Sequence, residues 1–166
     1  MDFLATARRQ MLAGQVNDAR EKLLNSFEDL TAEEMLEPGA KGNWSVRDVL
    51  NNIAAWDHIT AECFQAMLEG ERHPLLDMDE EAVAQFETDN YNAGQNKLVA
   101  DTIQELHSAR EELVDLLRDV SNEQMFAPAP GDEHADMSIA ACLSVTVNTD
   151  EESAEAIENW RETLVK

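Results

Sequence analysis

A chain of 166 residues, 43% hydrophobic and 28% charged, is sized for one globular domain over 1–166 with a core of its own. Its formal net charge of −23 is spread along the whole sequence, an acidic surface that argues against nucleic acid and anionic membrane as partners. No apolar run approaches a membrane span and the N-terminal stretch carries no signal-peptide core, so a cytoplasmic protein is expected, with Cys63 and Cys142 reduced in its interior.

The spacing predicts a first helix from about Phe3 to Leu30, whose inner seam is Leu12, Val16, Ala19, Leu23, Phe27 and Leu30. Thr31 to Leu36 has a capping-box pattern for one short turn, and Pro38, Gly39 and Gly42 lead on to Trp44. The second helix is the best defined. Ser45 is its N-cap, because a hydroxyl there can accept from a free first-turn amide, and Trp44 can staple against Val49. Val46, Val49, Leu50, Ile53, Trp56, Thr60, Phe64 and Met67 then recur at three- and four-residue steps until Gly70 ends the run. Asn52 is the polar residue at the edge of that stripe.

A loop over 70–74 follows, and the acidic run Asp77 to Glu81 suits the start of a short helix carrying Val83 and Phe86, which fades near Gly94. A longer helix spans about Leu98 to Asp119 with Val99, Leu106, Leu113, Leu117 and Val120 inward. After a loop with Pro128, Pro130 and Gly131, Ser138 caps a last helix striped by Ile139, Cys142, Leu143, Thr146, Ser153, Ile157, Trp160 and Leu164. No strand is expected. The architecture is an all-α, up-and-down four-helix bundle with a long connection between its second and third long helices that carries a short extra helix.

The sequence also echoes itself. Arg20-Glu21-Lys22-Leu23 and the following Leu30 to Pro38 reappear as Arg110-Glu111-Glu112-Leu113 and Val120 to Pro128. Trp44-Ser45-Val46 reappears as Met137-Ser138-Ile139. Two helix–turn–helix halves are therefore expected, with the second and last helices in equivalent places and a site between them near a pseudo-twofold axis.

Trp44-Ser45-Val46-Arg47-Asp48-Val49-Leu50, followed by Ile53-Ala54-Ala55-Trp56, resembles the second-helix signature of the DinB-like superfamily, nearest to the ClbS/DfsB type of four-helix bundle. The resemblance implies a homodimer. It also implies a divalent metal held by one His of the second helix and a His-x-x-x-His pair of the last, and for the ClbS type a protective protein that inactivates a reactive small molecule by hydrolysis. The three-His set is missing here. Asn52 stands at the second-helix position, and the last-helix pair falls on Glu152 and Ala156 in one register or Thr149 and Ser153 in the other. Amide and hydroxyl oxygens are poor ligands for zinc or nickel, so neither metal nor cofactor is expected.

Asn52 is either an amide reading a ligand in the bundle cavity or a boundary residue bonded to neighbouring backbone. Trp56 is expected in the core rather than as a stacking platform. Thr149 and Ser153 can line a pocket with Asn52, and no His stands near to activate them as nucleophiles. Glu152 is the one candidate general base, provided that a closed cavity desolvates it. Arg20 and Arg110 are expected to pair with surface carboxylates, His58 to meet solvent, and His107 to flank the core stripe near Arg110. His73 precedes Pro74 in a loop, and His134 sits among acidic loop residues.

The leading expectation is a metal-free ClbS/DfsB-like protein that binds a small, largely apolar molecule between the second and last helices, through Asn52, Trp56, Thr149 and Ser153, to hydrolyse or sequester it. Whether it is an enzyme is left open. The alternatives are a non-catalytic scaffold and a divalent-metal enzyme with a rearranged site of Glu152, Asn52 and His107.

Overall fold

The computed structural model describes residues 2–132 and 136–164; His134 lies outside them. Six α-helices follow in order: α1 Phe3–Phe27, α2 Val46–Leu68, α3 Glu80–Gly94, α4 Val99–Arg118, α5 Asn122–Phe126 and α6 Ile139–Leu164. Single 3-10 turns stand at Glu34–Leu36 and Pro74–Asp77, and among the described residues there is no strand beyond an isolated bridge between Lys41 and Trp44. Among the described residues no helix is long and apolar enough to cross a membrane.

Local chemistry sets the ends. The Asp2 carboxylate accepts from the Leu4 and Ala5 amides at 3.1 Å, which starts α1. Ser45 and Asp48 form a reciprocal capping box on α2. Asp48 N donates to the Ser45 hydroxyl at 3.2 Å, and Ser45 N donates to the Asp48 carboxylate at 2.9 Å. Asp79, two residues later than the start of the acidic run, caps α3 through the Ala82 amide. Ser138 caps α6 through the Ala141 amide at 3.1 Å. Two local readings are corrected. The first helix stops at Phe27, and Leu30 packs from the turn after it. The expected loop after α4 opens with the short helix α5, because Ser121 and Gln124 make a capping box of their own.

The tightest helix pairs are α1 with α6 and α2 with α4; α3 rests on α2, and α2 also meets α6. Each half of the sequence echo thus lays its first helix on the second helix of the other half. The core formed this way has two apolar regions. One gathers Leu23, Phe27, Leu50, Ile53, Leu106 and Ile157; the other gathers Leu12, Val16, Phe64, Leu113, Ile139 and Leu143. Each fully buried side chain of this size contributes about 1.5–3 kcal/mol.

A polar layer separates the two regions. Arg20 follows Ala19 and precedes Leu23 on α1, Asp57 lies between Ala54 and Ala61 on α2, Arg110 between Ala109 and Leu113 on α4, and Asp150 between Val147 and Ala154 on α6. All four are buried. Arg20 reaches Asp57 at 3.0 Å and Asp150 at 3.1 Å, and Arg110 reaches each of the same two carboxylates at 3.1 Å. The expectation that these arginines pair at the surface is therefore overturned. Their partners are buried acids, one on each of α2 and α6. Two guanidiniums and two carboxylates cancel in charge, and each planar fork spans two acids, which suits Arg and not Lys. Burial alone pulls the Arg110 guanidinium down, but Asp57 and Asp150 outweigh it and hold it above the ordinary arginine value. The quartet ties all four long helices together at one level.

Candidate ligand-binding site

A cavity of about 480 Å³ opens between α2 and α6, with the 71–79 connection and α3 along one side. It is mainly apolar, walled by Val49, Ile53, Leu76, Met78, Val83 and Met137, and the Cys142 thiol also borders it. Asp57 and Asp150 of the buried quartet reach its lining, so the polar layer that ties the bundle together also borders the cavity.

The structure brings Asn52, Trp56, Thr149, Glu152 and Ser153 to this one cavity. The Asn52 amide is bonded at both its nitrogen and its oxygen. It donates to the Glu87 carboxylate at 2.7 Å and accepts from the Asn90 side-chain amide at 3.0 Å, both on α3. Its partners are side chains, not the backbone groups that the boundary reading supposed, and its place is to hold α3 against α2. Neighbouring Asn51 does the same through the Asn90 carbonyl at 2.9 Å. A Cβ at Gly94 would come within 2.5 Å of the Asn51 amide, so only glycine permits this close approach. Trp56 departs from the expected core position. It is half-buried on the cavity wall and meets Phe86 of α3 at 4.5 Å between ring centroids, tilted by 58°. Just before the α2 cap, Trp44 stacks on Tyr91 at 5.7 Å.

On α6, Thr149 returns its hydroxyl proton to the Val145 carbonyl at 3.0 Å, while Ser153 is buried against the cavity. Glu152 is exposed at the mouth, so the desolvation that a general base would need is missing. The carboxylate that sequence reasoning missed is Glu87, half-buried and oriented by Asn52. His107 is exposed on α4 and borders no part of the cavity, so Glu152, Asn52 and His107 do not converge. His58 lies partly exposed between α2 and α4, its ring nitrogens 3.3 Å from Glu112 and 3.7 Å from Glu105 rather than in open solvent. His73 accepts the Leu75 amide at 3.1 Å and so starts the 3-10 turn beside the cavity.

Cys63 and Cys142 are both free thiols. Burial pushes the Cys63 thiol up to about 12, with Cys142 nearby adding to the rise and Arg72 opposing it; burial raises Cys142 as well. Because the thiolate is the reactive form, Ellman's reagent at pH 8 is expected to label the native protein at least a hundredfold more slowly than the guanidinium-unfolded chain. Rapid labelling of the native protein would contradict this burial.

Comparison with known proteins places the chain. The family model described as DinB superfamily matches residues 15–150. No curated protein sequence matches. Among solved structures, the chain is similar to DfsB, a sibling lethal factor precursor, with a TM-score of 0.80 at 12% identity, covering 93% of this chain and 95% of that one. It is similar to the colibactin self-resistance protein ClbS, solved in complex with double-stranded DNA, with a TM-score of 0.76 at 12% identity over 90% of this chain and 93% of the other. An uncharacterised protein from Escherichia coli UTI89 gives 0.74 at 14% identity over 92% and 91%. At these identities the likeness is one of fold.

Proposed function

Because this chain belongs to the DinB superfamily, we propose that it acts as a ClbS/DfsB-like protein that binds and sequesters a small, largely apolar molecule between α2 and α6. The observation that carries the reading is the cavity of about 480 Å³, a volume within the range of small-molecule sites, with mainly apolar walls and a few polar groups. An emptied scaffold would have filled this space with packed side chains. Sequestration is favoured over hydrolysis because exposed Glu152 keeps its water.

The donor set does not fit the superfamily's three-His metal. The Asn52 amide is already bound by Glu87 and Asn90, and the Thr149 hydroxyl by the Val145 carbonyl. The DNA seen with ClbS is not carried over either. A net charge of −23 repels phosphate, and Arg72, Lys97 and Arg161 are already paired with carboxylates. The family implies a homodimer, for which exposed Phe3, Leu4 and Met11 on α1 offer apolar surface.

The test is a thermal-shift panel of divalent cations and small aromatic or electrophilic compounds against the protein and Asn52→Ala. Binding to the native state alone raises the melting temperature. A rise with an apolar compound that shrinks in Asn52→Ala, where α3 is no longer held, is expected. A rise with zinc or nickel alone would contradict the proposal.

A further inference from the structure

We propose that the molecule taken up by this cavity is an organic cation, an apolar or aromatic body bearing a protonated amine, and that Glu87 is the carboxylate that receives the amine. This rests on the binding reading above and specifies its ligand class.

The charge balance of the lining carries the argument. Among the described residues, four carboxylates border the cavity, those of Asp57, Glu87, Asp150 and Glu152, against the single cation Lys41. Asp57 and Asp150 are neutralised from behind by Arg20 and Arg110. Lys41 is exposed and lies over the Trp44 ring at 5.8 Å. Glu152 is exposed at the mouth and screened by water. Glu87 is left. It is half-buried, has no ion pair among the described residues, and receives one hydrogen bond, from the neutral Asn52 amide to Oε2. A partly desolvated carboxylate with a free oxygen is stabilised by a cation that donates to it, and such charge-assisted bonds are about twice as strong as neutral ones.

The aromatic surroundings agree with the charge. Trp56 lies one helical turn from Asn52 on the same face of α2, and Phe86, the residue before Glu87, packs on its ring. The carboxylate and the indole thus border one cavity, and an indole face attracts the same ammonium that the carboxylate does. Anions meet the opposite conditions. The acidic surface field and the unneutralised lining both exclude them, while the same field draws cations toward the mouth.

Three probes of one shape separate this inference from the broader one: 4-phenylbutylamine, 4-phenylbutan-1-ol and 4-phenylbutanoate, titrated calorimetrically at pH 7.5. The amine is expected to bind about tenfold more tightly than the alcohol, and the carboxylate more weakly than either. In Glu87→Gln the amide oxygen still accepts from Asn52, so the fold is kept. There the alcohol keeps its affinity and the amine falls to within about twofold of it. Glu152→Gln should keep the preference for the amine. Equal binding of amine and alcohol to the native protein would overturn the cation while leaving the binding site standing. A preference that survives Glu87→Gln, or disappears in Glu152→Gln, would overturn the role given to Glu87. If none of the three bound, the binding reading itself would fall, and the inference with it.

Discussion

Asp57→Ala is expected to unfold roughly 10 °C below the native protein. The substitution leaves Arg20 and Arg110 buried with only Asp150 between them, and breaking a buried ionic cluster by removing one partner costs about 3–5 kcal/mol. For a domain of this size each kcal/mol moves the melting temperature by about 2–4 °C. The cause can be separated from simple loss of packing. Adding Arg110→Met to Asp57→Ala removes the excess cation and leaves a neutral Arg20–Asp150 pair, so the double variant should melt above the single one. A double variant that melts lower, by the sum of two independent losses, would show that charge imbalance is not the reason.

The second large effect is on binding. Ala156 is half-buried on the α6 wall of the cavity, one turn beyond Ser153. Ala156→Trp places an indole in space that the ligand must use, and affinity for 4-phenylbutan-1-ol should fall at least thirtyfold. The fold should survive, because filling an existing cavity leaves the core undisturbed and commonly adds stability. Unchanged affinity with an unchanged melting curve would mean that the probe binds elsewhere.

The long helices were legible because their stripes are continuous. Ser45, Val49, Leu50, Ile53 and Phe64 announce cap and core in one reading, and all five are buried. The echo was legible as well, and it runs further than its caps suggest. Asp57 and Asp150 each stand twelve residues beyond Ser45 and Ser138, and Arg110 is itself the echo of Arg20, so the buried quartet is the same pair of residues used twice. What hid it is general. Arg and Asp on an acidic chain read as surface unless partners on other helices are known, and no local pattern supplies those partners.

The cavity was half legible. Asn52 and Trp56 follow from the stripe of the second helix, and Thr149 and Ser153 from the register that the resemblance gives the last helix, and these two helices do meet. Glu87 was not visible because α3 buries no side chain completely; Gly94 is its one buried residue, so its stripe is weak. Its placement depends on tertiary contacts, Asn52 with Glu87, Asn51 with Asn90, and Trp56 with Phe86, none of which has a signal in sequence spacing. Glu152 follows from the register of α6 alone, and register fixes a face without fixing depth; at the mouth that face is wet.

The most direct test of a small-molecule cavity between α2 and α6 is a methyl-resolved NMR titration with 4-phenylbutan-1-ol. Saturable shifts are predicted at the methyls of Ile53, Met78, Val83, Met137 and Val145, which line the cavity, with Leu12, Val16 and Leu113 in the far core unmoved. Shifts absent from the cavity methyls, or confined to exposed Leu4 and Met11, would contradict the account.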